Sequence, residues 1–331
     1  MSSSYKLKEF SLWNEVSDEA LYNAAPWKLE NLLETFQMKI VSKNDETMEF
    51  DIAGLGPPIV NAIRRILIAE VPTMAIDKIE MYNNTTILPD EVLAHRIGLI
   101  PFKVDPRLFT EKAPDDDQGT EEDTLTFELK VKCTKKPNTP KDILVVNETT
   151  CNHPVVYSRD FKFIPIKNQK EMYGDIRPVC DDIMISKMKP GHEIDLKAYC
   201  YKNIGREHAK FSPVSIASYR LLPELRLLEE ICGDRAYKLA SCFPKGVIKI
   251  SNKKGREVAK VVNSRNITCS RNVLCHEDLK DAVEIVKLKE HYIFTVETTG
   301  ALPPEQLVKE AINILKEKCR CFLNELKKLE M

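Results

Sequence analysis

The sequence predicts an α+β fold, and three observations carry that prediction. Runs that alternate apolar and polar residues recur from Phe36 to "EHYIFTVETTG", as half-buried strands require. An amphipathic helix closes the chain after Pro303. A second helix, in "GPPIVNAIRRILIAEVPTMAID" from Gly56, is apolar around about half of its circumference.

Residues 1–30 mix charge with the isolated aromatics Trp13 and Trp27, the composition of an extension held by a few anchors. From Phe36, "FQMKIVSKNDETMEFDIAG" alternates on both sides of a polar "SKNDET" and predicts a β-hairpin. Gly54, Gly56, Pro57 and Pro58 break the chain, and the first helix then runs to about Val71-Pro72. "MAIDKIEMYNNTTIL" predicts strand, turn and strand, and "LPDEVLAHRIGLIP" a short helix closed by Gly98 and Pro101.

Between Asp105 and Lys210 the loops "PDDDQGTEED", "TKKPNTPKD" and "KNQKEMYGD" separate "TLTFELKVKC", "VVYSRDFKFIP", "IMISKMK" and "EIDLKAYCY", a β-rich middle region. Mixed structure resumes with "HAKFSPVSIASYRLLPELRLLEE". In the last helix Val308, Ala311, Leu315, Cys319, Phe322, Leu326 and Leu329 recur every three or four residues.

The first helix raises a specific question. At about 100° per residue, Ile59, Ala62, Ile63, Ile66, Leu67 and Ala69 share one face, with Val60 at its margin. Asn61, Arg64 and Arg65 lie opposite, and Ile68 falls between the two arginines. Periodicity accommodates a core helix whose arginine stems snorkel to water. It equally accommodates a helix with two partners, since an arginine fork satisfies carboxylates or carbonyls while its stem packs.

Composition narrows the function classes. The chain has 331 residues, with Lys+Arg 49 against Asp+Glu 50. A protein that grips phosphates directly carries a basic excess, so contact with nucleic acid is expected only indirectly. The first residues lack a secretory pattern and no window approaches the ~20 apolar residues of a membrane span, so an intracellular, membrane-free protein is expected. The ten cysteines are scattered and expected to be reduced.

Catalytic and metal chemistry finds weak footing. Glu91 and His95 share a helical face, but Asp90 reads more simply as the cap of that helix, with His95 and Arg96 at its cation-favouring end. Cys133, Cys151, His153, Cys180 and Cys200 show no Cys-x2-4-Cys pair. Cys269, Cys275 and His276 are loosely spaced, and Cys319 and Cys321 point about 200° apart on their helix. "AGLGPP" lacks the spacing and lysine of a phosphate-cradling loop, and "KKPNTPK" and "SNKKGR" read as solvated basic loops, with remote nucleic-acid contact the other reading. No catalytic residue, metal or cofactor is expected.

"NAIRRILIAEVPTMAID" followed by "NNTTILPDEVLAHRIGLIP" resembles the signature of the α-like subunits of multisubunit RNA polymerases. That family includes the bacterial α subunit's N-terminal domain, its archaeal counterpart and the third-largest subunit of polymerase II. "HAKFSPVSIASYRLLP" and "FTVETTGALPPEQLVKEAINILKEK" match in the expected order, so the resemblance covers about Phe36 to Lys328. "VYSRDFKFIP", "KFSPVSIASYRLLP" and the N-terminal extension look most like the branch shared by RNA polymerases I and III. The polymerase II and many archaeal members carry a cysteine cluster in the middle region, and Phe102 to Lys132 here has none. The polymerase II or archaeal type is the alternative, and a metal-dependent enzyme a more distant one.

The resemblance implies a discontinuous dimerisation domain, residues 31–72 and 211–331, made of a sheet and two interface helices. It implies an inserted β-rich domain at 73–210, after an extension at 1–30. It further implies that Ile59, Ile63, Ile66, Leu67, Val308, Ala311, Ile312, Leu315 and Phe322 meet a smaller α-like subunit. Asn61, Arg64, Arg65 and Ile68 would then face the second-largest subunit. The largest subunit and small zinc-binding subunits complete the implied partners, and the implied location is the nucleus, including the nucleolus. Pro57-Pro58 departs from the small polar residues usual in the family, which leaves the helix start open.

Overall fold

The computed structural model describes residues 4–14, 29–112, 119–137, 146–253, 255–268 and 270–329. In chain order the early elements are β1 (Ser4–Leu7), β2 (Leu12–Asn14), α1 (Leu29–Thr35), β3 (Gln37–Lys43), β4 (Thr47–Ala53), α2 (Pro57–Ala69), β5 (Thr73–Asn84) and α3 (Asp90–Gly98). The middle region holds β6 (Thr124–Lys132), β7 (Thr134–Lys135), β8 (Cys151–Asn152), β9 (Val155–Tyr157), β10 (Lys162–Ile164), α4 (Gln169–Tyr173), β11 (Met184–Lys187) and β12 (Glu193–Asn203). The last part has β13 (Val214–Leu227), α5 (Asp234–Ser241), β14 (Ile248–Lys253), β15 (Arg256–Val261), β16 (Val283–Thr298) and α6 (Pro304–Leu329).

Contacts divide the chain into two compact units. One is drawn from Met1–Lys43, Glu49–Val60 and Ser218–Thr295, the other from Asn44–Met48, Asn61–Ala217 and Val296–Met331.

The larger sheet runs β2-β1-β16-β4-β3, with β13 also paired to β16. Its predicted hairpin forms because the Asn44 carboxamide oxygen accepts from the backbone N–H of Glu46 (3.1 Å) and the Thr47 hydroxyl (2.8 Å), closing the turn. Met48, Phe50 and Ile52 alternate inward along β4, and Phe50 stacks on Phe294 at 5.1 Å. The first described stretch, residues 4–14, lies within the expected extension. It is a strand of this sheet, with Ser4 opposite Leu288 and Leu7 buried, while Trp13 is half exposed. That pairing is remote in sequence, so no local pattern announces it. Trp27 lies outside the described residues. Beneath β13 and β16, α5 and the β14–β15 hairpin close a core around Ile231, Leu239, Val247 and Ile285.

The second sheet runs β10-β6-β12-β5. Its core draws only on residues from Met74 to Cys200, with Phe102 against Phe127 at 4.4 Å. β5 is one strand of 12 residues, where strand, turn and strand were expected. The correction has a local cause: Asn84 Nδ2 donates to Leu88 O (2.9 Å) and Asn84 Oδ1 accepts from Thr86 N (3.0 Å), coiling Thr85–Leu88 into a turn. Asp90 does not cap α3. Pro89 is the N-cap, and the Asp90 carboxylate accepts instead from Asn84 Nδ2 at 2.7 Å. Both this sheet and its core fall within 73–210, yet the contacts group that stretch with α6 and most of α2. Only Glu70, Val71 and Pro72 separate α2 from β5.

Candidate subunit interface

α2 begins at Pro57, so the two prolines occupy the first turn, where no N–H partner is required. Its other end is fixed by a close approach. A Cβ on Gly205 would stand 2.2 Å from Ile68 O, and Arg206 N donates to Ala69 O at 2.9 Å, satisfying a terminal carbonyl. Between these ends the apolar face is spent inside the chain. Ile63, Ile66 and Leu67 are buried at 6, 3 and 0 % exposure, whereas Ile59 stays 41 % exposed. Of the four residues expected to meet a smaller subunit, this chain's own atoms thus cover Ile63, Ile66 and Leu67 and leave Ile59 open. On the far side Arg64 Nε and Nη2 donate to Asn61 Oδ1 at 3.1 and 3.0 Å, beside exposed Arg65 and Ile68.

α6 follows a tightly specified turn. Thr298 Oγ1 donates to Leu302 O (2.7 Å) and accepts from Gly300 N (3.0 Å). Gly300 has φ +102°, and a Cβ there would meet Val179 at 2.4 Å, so glycine is required twice over. The first turns of the helix are then buried at Leu307, Val308 and Ala311, so Val308 and Ala311 too are covered by this chain's own atoms.

From Ile312 onward the same helix stands open. Leu315 is half-buried, and every residue from Lys316 to Leu329 is exposed. Phe322 is 66 % exposed and Leu329 83 %, with Leu323 and Leu326 beside them. At about 100° per residue these side chains prolong the stripe begun by Val308 and Ala311. The stripe does not change character at Ile312; its cover ends. Lys318 Nζ donates to Glu70 Oε1, which also accepts from Arg206 Nη2 at 3.3 Å, so one carboxylate ties the middle of α6 to the end of α2. Nearer the start, Arg107 Nη1 lies 3.8 Å from Glu310 Oε1, and its hydrogen bonds to Asp105 hold that carboxyl below the usual carboxylate range.

The edge strand β3 adds apolar surface that sequence reasoning passed over. All seven of its residues are exposed, with Met38 and Ile40 alternating along it and exposed Phe36 just before it. The signal was present in "FQMKI", but alternation names two faces without saying that neither is covered. Leu323 was missed because it sits at the stripe's flank, next to Phe322 in sequence.

The catalytic alternatives gain no geometry. Arg96 is occupied on backbone carbonyls, Nε on Ile185 O (3.0 Å) and Nη2 on Met184 O (2.8 Å), while the His95 ring meets His208 edge-on at 6.2 Å. Cys133, Cys151 and Cys200 are buried; desolvation pushes the Cys133 thiol up to about 11 and Cys200 higher still, so neither is a reactive thiolate. Among the described residues no group of three or more His, Cys, Asp or Glu is arranged to hold a metal. No helix there is long and apolar enough to cross a membrane. Cys269, the first half of "PDDDQGTEED" and part of "KKPNTPK" lie outside the described residues.

Comparison with known proteins agrees with this geometry. Residues 49–319 match the family model described as the RNA polymerase Rpb3/Rpb11 dimerisation domain. The mouse (Mus musculus) protein named DNA-directed RNA polymerases I and III subunit RPAC1 is 50 % identical over 307 residues, covering 92 % of this chain and 88 % of its own. Its namesake from Saccharomyces cerevisiae is 42 % identical over 303 residues, 90 % of each chain. The Dictyostelium discoideum DNA-directed RNA polymerase II subunit rpb3 is 30 % identical over 294 residues, 85 % of this chain and 92 % of its own. A family match over residues 49–319, which takes in α2 and the first part of α6, together with relatives 42–50 % identical over nine-tenths of the chain, shows that the chain belongs to the RNA polymerase Rpb3/Rpb11 dimerisation-domain family.

Proposed function

We propose that this chain is the non-catalytic assembly subunit common to DNA-directed RNA polymerases I and III. It pairs with a smaller α-like subunit and so forms the platform on which the second-largest and then the largest subunit assemble, in the nucleus and nucleolus. The observation that carries the reading is the bare half of α6. Ile312, Phe322, Leu323, Leu326 and Leu329 present a contiguous apolar stripe that a solitary chain in water has no reason to keep. Ile59, on α2, adds an exposed residue to the pairing surface, and Leu315 sits at the edge of its own chain's cover.

Asn61, Arg64, Arg65 and Ile68 are assigned to the second-largest subunit, because an exposed isoleucine between two arginines suits a contact of mixed character. Residues 73–210 act as an inserted domain with its own sheet and core, and the segments 31–72 and 211–331 supply the dimerisation domain. The identity of 42–50 % to proteins named for polymerases I and III, against 30 % to one named for polymerase II, favours the shared subunit over its polymerase II counterpart. Small zinc-binding subunits join the same assembly, and DNA is met only through it.

Affinity purification of the tagged chain from its own cells, read by mass spectrometry, tests the assignment. A small α-like subunit together with the large subunits of polymerases I and III is expected. Recovery of polymerase II large subunits instead would transfer the chain to that branch, and recovery of neither would sink the proposal.

A further inference from the structure

The two borders of the apolar stripe on α6 are unlike. Along the bare half of the helix, Lys316, Arg320, Leu323 and Lys327 fall at i, i+4, i+7 and i+11, so they form one ridge about 60–120° round from the line through Val308 and Leu326. All four are exposed, and the ridge holds no carboxylate. The described acids of the bare half stand elsewhere on the helix. Glu317 is about 180° from the stripe, where Arg320 reaches it at 3.1 Å, and Glu325 is about 100° away on the opposite border, held by Lys328 at 2.7 Å. Lys318, also on the opposite border, is tied to Glu70. That border is neutralised within the chain, whereas among the described residues Lys316 and Lys327 meet no acidic partner. The dipole of the helix favours cations in its last turn and so accounts for Lys327, but Lys316 and Arg320 lie well before that turn.

Given the pairing role proposed above for α6, on which this rests, we propose that the border of Lys316, Arg320 and Lys327 selects the partner: the smaller subunit lays along it an apolar stripe edged on the facing side by carboxylates. The stripe supplies the burial, and charges at the margin of a helical seam set partner choice and orientation. Leu323, 55 % exposed within the ridge, is covered together with the stripe, which dries the margin on which the lysines stand. The same border works against a second copy of this chain. Two α6 helices laid antiparallel bring like borders together and set cation against cation.

The test is sedimentation of the full chain, alone and with a small α-like polymerase subunit from the same cells, at roughly 0.1 M and roughly 1 M salt. Lys316→Glu with Lys327→Glu is expected to weaken the heterodimer about tenfold or more at the lower salt and no more than about twofold at the higher, where the charges are screened. Lys316→Gln with Lys327→Gln is expected to fall between, and answers the question should the glutamate variant fail to fold. Lys245→Glu with Lys280→Glu makes the same change of net charge at exposed turn positions, and is expected to alter the affinity less than about twofold. The parent alone is expected to sediment as a monomer. A heterodimer as tight in both Lys316/Lys327 variants as in the parent overturns the role of the border while leaving pairing through α6 in place, and so does an equal loss in the Lys245/Lys280 variant. A parent that dimerises with itself as tightly as with the smaller subunit overturns the selection against a second copy. A parent that never pairs with the smaller subunit removes the pairing role of α6, and the selection falls with it.

Discussion

The two halves of α6 share one sequence pattern and have opposite environments. Before Ile312 the stripe is closed over by the rest of the chain, with Leu307, Val308 and Ala311 at most 3 % exposed; after it, Phe322, Leu323, Leu326 and Leu329 face outward at 40 % or more. Hydrophobic periodicity locates a surface that must be buried, but it does not say whether the cover is the same chain or another. The difference tells which residues hold the fold and which are left for assembly, and substitutions separate the two.

The largest effect is expected where the chain covers itself. Val308→Asp or Ile63→Asp places a charge in a site under 10 % exposed, at a cost of several kcal/mol, and should abolish soluble folded protein, read by circular dichroism. Phe322→Asp with Leu326→Asp alters only exposed positions, and should leave the melting temperature of the isolated chain within a few degrees of the parent. If the outer pair unfolds the chain as thoroughly as the inner substitutions, the two halves do not differ as described.

Cysteine labelling sharpens the contrast without altering the core. Cys319 lies on the apolar stripe and Cys321 about 200° away from it, and both are exposed. Pairing should slow maleimide reaction at Cys319 by about tenfold or more and leave Cys321 nearly unchanged, while buried Cys200 stays unreactive in either state. Equal protection of both exposed thiols would mean that a partner surrounds the helix and does not sit on one side of it.

A smaller effect is expected at the boundary between the halves. Glu70→Gln removes the carboxylate shared by Lys318 and Arg206, a loss of about 1 kcal/mol, and should raise amide exchange in α6 beyond Ile312 while β5 and β12 stay protected. Unchanged exchange in α6 would show that the tie does not hold it. Arg64→Ala with Arg65→Ala should leave pairing intact and reduce recovery of the second-largest subunit. The reverse pattern would exchange the roles of the two helical surfaces.

The smallest effect concerns pH. Because the Arg107 hydrogen bonds depress the Asp105 pKa in the folded chain, that carboxylate stabilises the fold above the ordinary carboxylate range and ceases to do so as pH falls through and below it. Asp105→Asn should therefore cost about 0.5 kcal/mol at neutral pH and less in acid, in denaturant titrations at both pH values. A cost that grows in acid would contradict the assignment.

Much of this architecture was legible in the residues. α2 and α6, the hairpin over β3 and β4, and the strands β6 and β12 follow from periodicity and turn chemistry, all of them local. What sequence did not show depends on distant partners. β1 enters the sheet by pairing Ser4 with Leu288, and β5 runs on because Asn84 folds the following turn onto itself. At the interface, the identity of the exposed residues required knowing which part of each apolar face the chain keeps for itself. Ile63, Ile66, Leu67, Val308 and Ala311 are kept; Ile59, Ile312 and Phe322 remain open.

The most direct measurement is sedimentation of the chain co-expressed with a small α-like polymerase subunit, comparing the parent with Phe322→Asp/Leu326→Asp. The parent is expected to run as a one-to-one heterodimer, and the variant as a folded monomer. A variant that still sediments as the heterodimer would contradict the assignment of the bare half of α6 to pairing.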